Sequence, residues 1–224
     1  MAEQVYDFAV VGAGMAGASV AYRLAQKGAS VLVLERESQP GYHSTGRSAA
    51  MFMESYGTDQ IRALTRASRS FYMHPPAGFC SNALLPARDV LYVGQHGQQQ
   101  LLDDALAMYL NDGLEAEMIS AERAHELVPV LAQDKIIGAV HDKAATDIDV
   151  AELHQGFLRG MREKGAALRC QAELQQAERD AASGVWSLTL VGGDVVQVRA
   201  VVNAAGAWAD TVAQACGAQP LNIQ

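Results

Sequence analysis

Residues 6–37, YDFAVVGAGMAGASVAYRLAQKGASVLVLERE, constrain the fold more than any other stretch of the chain. The apolar run of Val5, Phe8, Val10 and Val11 stops at Gly12, as a buried parallel strand does. Gly12, Gly14 and Gly17 then fall at G-x-G-x-x-G spacing. The first permits a tight turn out of the strand, the second leaves no side chain in the way of a diphosphate, and the third lets the next helix pack closely on the sheet. The spacing predicts that helix over residues 15–27, with Val20, Ala21 and Leu24 on its inner stripe and Gly28 as its C-cap. Its N-terminus presents unpaired N–H groups and the positive end of a dipole to an anion. Val31–Leu34 reads as a second buried strand, and Glu35 follows it.

Glu35 lies 18 residues beyond Gly17, where the fingerprint places an acid that accepts hydrogen bonds from an adenosine ribose. A carboxylate there suits a ribose without a phosphate, so FAD or NAD is expected and NADP is not. Strand, helix, second strand and acid all agree on a dinucleotide, and they are silent on which one.

The rest of the composition narrows the class. A chain of 224 residues, half hydrophobic and 19% charged, reads as an ordinary soluble protein with room for one large domain or two small ones. A net charge of −8 with no basic run argues against nucleic acid and anionic membrane surfaces as partners. No apolar stretch reaches membrane-spanning length, and the first strand begins too early to leave room for a signal peptide, so the cytoplasm is the expected compartment. Cys80, Cys170 and Cys216 are odd in number and far apart, and the six histidines show no H-x-x-x-H pairing. Neither a disulfide framework nor a metal is expected.

Beyond the second strand, SQPGYHSTGRSAAMFM opens with a Pro-Gly turn. His43, Ser44, Thr45, Arg47 and Ser48 crowd five hydrogen-bonding side chains together, and Ser48-Ala49-Ala50 suits the start of a helix facing an anion. A solvated loop with an N-cap serine is the alternative reading. Periodicity then predicts a helix over 58–72, stopped by His74-Pro75-Pro76, a strand over 90–94, a helix over 98–111, a strand over 115–119, a helix capped by Ser120 through Leu127, and a strand over 136–141. Asp149 and Glu152 have capping-box spacing and open a helix through Lys164, with Leu153, Phe157, Leu158 and Met161 on its buried face. A short strand over 167–170 and three antiparallel strands, over 173–178, 185–191 and 195–202, complete the pattern. The last runs into Asn203-Ala204-Ala205-Gly206-Ala207-Trp208, stripped to small residues as if a ligand lay against the backbone; a plain strand-to-helix turn with Trp208 in the core is the alternative.

GAGMAG with Glu35, HSTGRSAA and VVNAAGAWA together resemble the FAD-dependent amine oxidoreductases of the D-amino-acid oxidase and glycine oxidase superfamily. Within it, RALTRASR, PPAGFC, VPVL, DIDV, LHQGFLRG and VNAAGAWAD are most similar to the bacterial D-arginine dehydrogenases. The likeness covers nearly the whole chain. It implies an α/β fold: a Rossmann-type FAD-binding domain formed by 1–80 and 146–224, interrupted at 81–145 by the first part of an α+β substrate domain. It further implies that Gly12, Ala13, Gly14, Met15, Ala16 and Gly17 sit under the FAD diphosphate, with Glu35 on the ribose and Arg36 beside the adenine. His43, Ser44, Thr45, Arg47, Ser48, Ala49 and Ala50 would follow the phosphates and the isoalloxazine. Leu174 would meet the adenine side through its backbone, and Ala205 and Gly206 would close on the diphosphate or ribityl.

The chemistry so implied is hydride transfer from the Cα–H of a D-amino acid or related amine to flavin N5, giving an imino acid that water hydrolyses to a 2-oxo acid. The resemblance names no electron acceptor. Tyr56 matches an active-site tyrosine and is the one substrate contact carried over. Two departures remove others: Met51 stands where the related enzymes have an active-site histidine, and Val90 where they have the carboxylate that reads a cationic substrate. A buried guanidinium facing Val90 would go unpaired, so no preference for arginine is carried over. Members of the family also run well beyond the position of Gln224, so the chain is expected to be an N-terminal portion with apolar edges open to association. Two other functions fit the fingerprint, a flavin-binding module without turnover and an NAD-dependent dehydrogenase.

Overall fold

A computed structural model of the chain describes residues 4–223. In chain order the strands are β1 (Val5–Val11), β2 (Val31–Leu34), β3 (Met51–Phe52), β4 (Val90–Gln95), β5 (Ala116–Ser120), β6 (Ile136–Asp142), β7 (Thr146–Asp147), β8 (Ala167–Arg169), β9 (Leu174–Arg179), β10 (Trp186–Leu190) and β11 (Val195–Asn203). The helices are α1 (Met15–Gln26), α2 (Asp59–Met73), α3 (Gln99–Asn111), α4 (Ala121–Leu127), α5 (Val150–Glu163) and α6 (Ala209–Ala215). They divide into two compact units, one of residues 1–49, 77–81 and 150–224, the other of residues 50–76 and 82–149.

The first unit is a six-stranded sheet in the order β8-β2-β1-β11-β10-β9. β8, β2, β1 and β11 run parallel, and β10 and β9 extend the sheet as antiparallel strands. Every residue of β2 is buried, which is why Val31–Leu34 has no alternation of polar and apolar positions. On one face Ala9, Val11, Leu32, Leu34, Leu188, Leu190 and Val198 form a continuous core that Val212 of α6 closes. On the other, α1 lies close to Val10, because Gly17 has no side chain: a Cβ there would come within 1.8 Å of the Gly12 carbonyl oxygen and 3.4 Å of Val10. α5 packs on α1 through glycines as well. A Cβ on Gly160 would fall 2.5 Å from the Tyr22 ring, and one on Gly156 would fall 2.6 Å from Phe79. Tyr22, Phe79 and Phe157 consequently meet ring to ring at 5.1–5.7 Å, which ties residues 77–81 into this unit.

The second unit holds the antiparallel sheet β4-β6-β5 and the short pair β3-β7. Leu102 and Tyr109 of α3 pack with Val140 of β6, and Ala124 of α4 packs with Ile119, Ile136 and Ala139. Ser120 and Thr58 cap α4 and α2 through their side-chain oxygens, the former as its spacing foretells. No residue of α2 is buried, however, and Leu64, on its apolar stripe, is 69% exposed. Polar contacts from Arg62 and Arg66 to Asp112 and from Arg69 to Glu54 hold that helix, together with the Tyr72 ring, 5.4 Å from that of Phe52.

Two expectations need correction. Residues 50–76, expected in the first unit, belong with the second, as do 146–149. Asp147 and Asp149 donate their N–H groups to the Pro86 and Leu84 carbonyls at 3.1 and 2.9 Å, Met51 and Phe52 pair with Asp147 and Thr146, and the Ser55 hydroxyl donates to the Tyr109 hydroxyl at 2.9 Å. Nor does a helix begin at Ser48. Residues Ser44–Arg47 make a single 3₁₀ turn, Ser48 is extended, and the Ala50 carbonyl accepts the Ile148 N–H at 2.6 Å, so strand pairing takes the backbone a helix would need. Ala50 has φ 55°, a left-handed conformation that a residue with a Cβ holds only when its surroundings fix it.

Two consequences are measurable. Gly17→Ala is expected to cost about 1–3 kcal/mol in urea unfolding, since the obstruction is backbone and cannot swing away; an unchanged midpoint would mean α1 does not approach the strand end so closely. Burial of Tyr109, 1% exposed, pushes its hydroxyl far above the ordinary tyrosine range. The unfolded chain then ionises first, at about pH 10, so stability is intact below that pH and falls as pH rises beyond it. Tyr109→Phe should flatten that alkaline decline, read as the change in urea midpoint between pH 9 and 11; an equally steep decline in the variant would assign it elsewhere.

Candidate functional site

Parallel pairing brings three strand ends of the first unit to one level. Val11 of β1 stands opposite Leu34 of β2 and Asn203 of β11, and the pairing continues past the strands: Gly12 N–H donates to the Leu34 carbonyl at 2.8 Å and Ala204 N–H to the Val11 carbonyl at 2.9 Å. The turns after these strands therefore lie side by side. Gly12 takes φ 101°, and a Cβ on it would stand 2.4 Å from the Ala204 carbonyl oxygen, so this junction requires glycine both for its torsion and for its space. Crevices at the carboxyl ends of parallel strands are where α/β sheets hold ligands.

Around that point the side chains are fixed by the backbone they touch. Glu35 is buried, with one carboxylate oxygen accepting the Ala13 N–H at 2.9 Å and the other the Glu37 N–H at 3.0 Å. Each oxygen keeps a lone pair, so the carboxylate is aligned and still able to accept two hydroxyls. Thr45 Oγ1 accepts the Met15 N–H at 2.9 Å and would lie 3.1 Å from a Cβ on Gly14, which couples the 3₁₀ turn to the start of α1. His43 Nε2 is 2.8 Å from Glu37 Oε1, and its ring lies 4.5 Å from that of Trp208, over which the Arg36 guanidinium also sits at 4.6 Å. The Asp210 carboxylate accepts the N–H groups of Leu221 and Ile223 at 2.7 and 2.8 Å, drawing the last described residues to the same place.

These groups enclose a cavity of about 550 Å³, a size usual for small-molecule and cofactor sites. Gly12, Gly14, Met15 and Ala16 line it from the first turn, and Glu35 and Arg36 from the end of β2. His43, Ser44 and Thr45 line it from the 3₁₀ turn, Leu174 from β9, and Ala205 and Gly206 from the turn after β11. Ala13 and Gly17 stand behind this lining, the one held by Glu35, the other packed on Gly12. Arg47, Ser48 and Ala49 are not part of the wall; Arg47 instead lies over the Tyr42 ring at 5.3 Å. Ala50 and Tyr56 belong to the second unit, where Tyr56 is 70% exposed.

The sequence also left some functional positions unmarked. Trp208, read as core in one alternative, forms part of the cavity wall, with the Arg36 guanidinium and the His43 ring against it. Glu37 gives no local signal, because its partner His43 is reached only through the fold of the loop between them. Burial first and the Glu35 charge second push the Cys170 thiol above the usual range, which disfavours the reactive thiolate. Among the described residues no group of three or more His, Cys, Asp or Glu converges as metal ligands would, and no helix is long and apolar enough to cross a membrane.

The site suits FAD on its own geometry: a glycine-walled strand-end crevice, a helix N-terminus opening into it, and an aligned carboxylate with spare acceptor capacity. Comparison with known proteins agrees. Mouse (Mus musculus) mitochondrial dimethylglycine dehydrogenase is 26% identical over 220 residues, covering 93% of this chain and 24% of that protein. The structure of L-α-glycerophosphate oxidase from Mycoplasma pneumoniae, with FAD bound, superposes with a TM-score of 0.84 at 14% identity, over 96% of this chain and 57% of that one. Glycine oxidase from Bacillus cereus superposes at 0.81 with 20% identity, over 93% and 57%. The chain thus spans about a quarter of the length of that curated relative and somewhat over half of these solved neighbours. Residues 7–224 match the model of the DAO family, FAD dependent oxidoreductases, and the chain belongs to that family.

Proposed function

We propose that the protein carrying this chain is an FAD-dependent oxidoreductase that oxidises the CH–NH₂ group of a D-amino acid or related amine to an imino acid, which water hydrolyses to a 2-oxo acid. The observation that carries the reading is the crevice in which three turns and the Glu35 carboxylate converge. Family membership sets the NAD-dependent alternative aside. The choice of an amine over other reduced carbons is supported by the names of relatives, dimethylglycine dehydrogenase and glycine oxidase, and the D configuration by the sequence resemblance alone.

In this reading Glu35 accepts the adenosine ribose hydroxyls, and the N–H groups opening α1 meet the diphosphate. Arg36, over the Trp208 ring, and His43, held by Glu37 and the same ring, line the cavity beside them. FAD, when bound, supplies the two-electron acceptor for hydride removal; the protein holds it in place and excludes water. Tyr56 is proposed as a substrate contact. The alternative is a flavin-holding module without turnover of its own.

The purified chain is expected to show the visible bands of oxidised flavin, and anaerobic addition of D-amino acids to bleach them. Bleaching by the L enantiomers alone would overturn the D preference, and flavin bands that no amine or amino acid bleaches would favour the module. Glu35→Ala is expected to weaken flavin retention by about tenfold or more, as loss of an ionic hydrogen-bond acceptor does. Undiminished flavin content in that variant would place the ribose elsewhere.

A further inference from the structure

His154 occupies a position where the periodicity of α5 calls for an apolar residue. Leu153, Phe157, Leu158 and Met161 form the buried stripe of that helix, and His154 lies within it, 4% exposed. A buried imidazole needs a partner for its polar edge, and here the partner is specific: Nε2 stands 2.8 Å from the carbonyl oxygen of Ala13. A carbonyl only accepts, so Nε2 carries the proton. The same ring lies against Gly41, on which a Cβ would fall 2.9 Å from Cε1 and 3.2 Å from Nδ1. The imidazole is thereby seated between the glycine turn and the loop that leads to Thr45, the residue that accepts the Met15 N–H.

The peptide that His154 grips decides what this contact does. Ala13 is held at both ends, its N–H by Glu35 and its C=O by His154. In a planar trans peptide the C=O and the following N–H point in opposite directions. Drawing the Ala13 carbonyl toward α5 thus turns the Gly14 N–H away from it, and Gly14 lines the cavity. A flipped or swinging peptide would put a carbonyl oxygen, a partial negative charge, where an anion is to bind.

We propose that His154 is a positioning residue for the cofactor diphosphate: through the Ala13–Gly14 peptide it fixes an N–H donor toward the cavity, without touching the ligand itself. The proposal rests on the assignment of FAD to this cavity, and its substance is a discrimination between parts of one ligand. Fixing that peptide matters for a diphosphate and is indifferent to an adenosine lacking one.

The test compares ADP with adenosine on flavin-free protein, by calorimetric titration, in the wild type and in two variants of similar side-chain size. His154→Gln keeps an N–H donor at about the distance of Nε2, whereas His154→Met fills the space without a donor. The expected result is that Met weakens ADP by about tenfold, the worth of one directed hydrogen bond. It should leave adenosine within about twofold and Gln should restore most of the ADP affinity. Equal losses for ADP and adenosine in the Met variant, or no loss for either, would overturn the proposal. So would failure of the Met variant to fold while the Gln variant folds, since the hydrogen bond would then serve the fold instead of the ligand. A wild type that binds neither ADP nor FAD would instead refute the cofactor assignment, a separate result.

Discussion

The parallel ladder of β1 between β2 and β11 is the constraint on which the cofactor unit depends. It aligns Leu34, Val11 and Asn203, and it continues into the turns as Gly12 bonds Leu34 and Ala204 bonds Val11. Everything placed at the crevice, including the Glu35 carboxylate, the start of α1 and the turn at Ala205, inherits its position from that register. A shift by one residue would exchange the two faces of β1, putting Val10 where Ala9 and Val11 now pack.

From this frame the site gains precision through side chains that bind backbone. Glu35, Thr45 and His154 each take up one amide group of residues 13–15. The Gly-rich turn, left to itself the most permissive stretch of chain, is thereby held by contacts from β2, from the 3₁₀ turn and from α5. Such a site is ordered before its ligand arrives, which lowers the entropy lost on binding. Trp208 plays a comparable part in the lining, giving the Arg36 and His43 side chains a common surface that restrains both.

Much of this was legible in the sequence wherever the determinant is local. The glycine spacing, the apolar runs before Gly12 and before Glu35, and Ser120 before α4 all act within a few residues, and the corresponding elements stand where expected. What escaped was set by distant partners. Ser48-Ala49-Ala50 has helical character, yet pairing with residues 146–148 makes the next residues a strand. Residues 59–73 have the apolar periodicity of a packed helix, yet none of them is fully buried: charge pairs to Glu54 and Asp112 and the Tyr72 ring on Phe52 carry the contact. His154 was not singled out, because its partner lies at Ala13, a pairing that only the α1–α5 packing discloses.

The ladder has a further consequence for how the chain comes to be folded. β1 is synthesised well before its neighbour β11, whose Gln197 pairs with Val5. Until then Val10 and Val11 present an unfilled edge, apolar on both faces, to whatever else is nearby. Closing such a distant pair is entropically slow and leaves the nascent polypeptide open to aggregation. Vectorial synthesis therefore completes the cofactor unit late: β1 and β2 can pair early, but the crevice forms only once β11 has joined them.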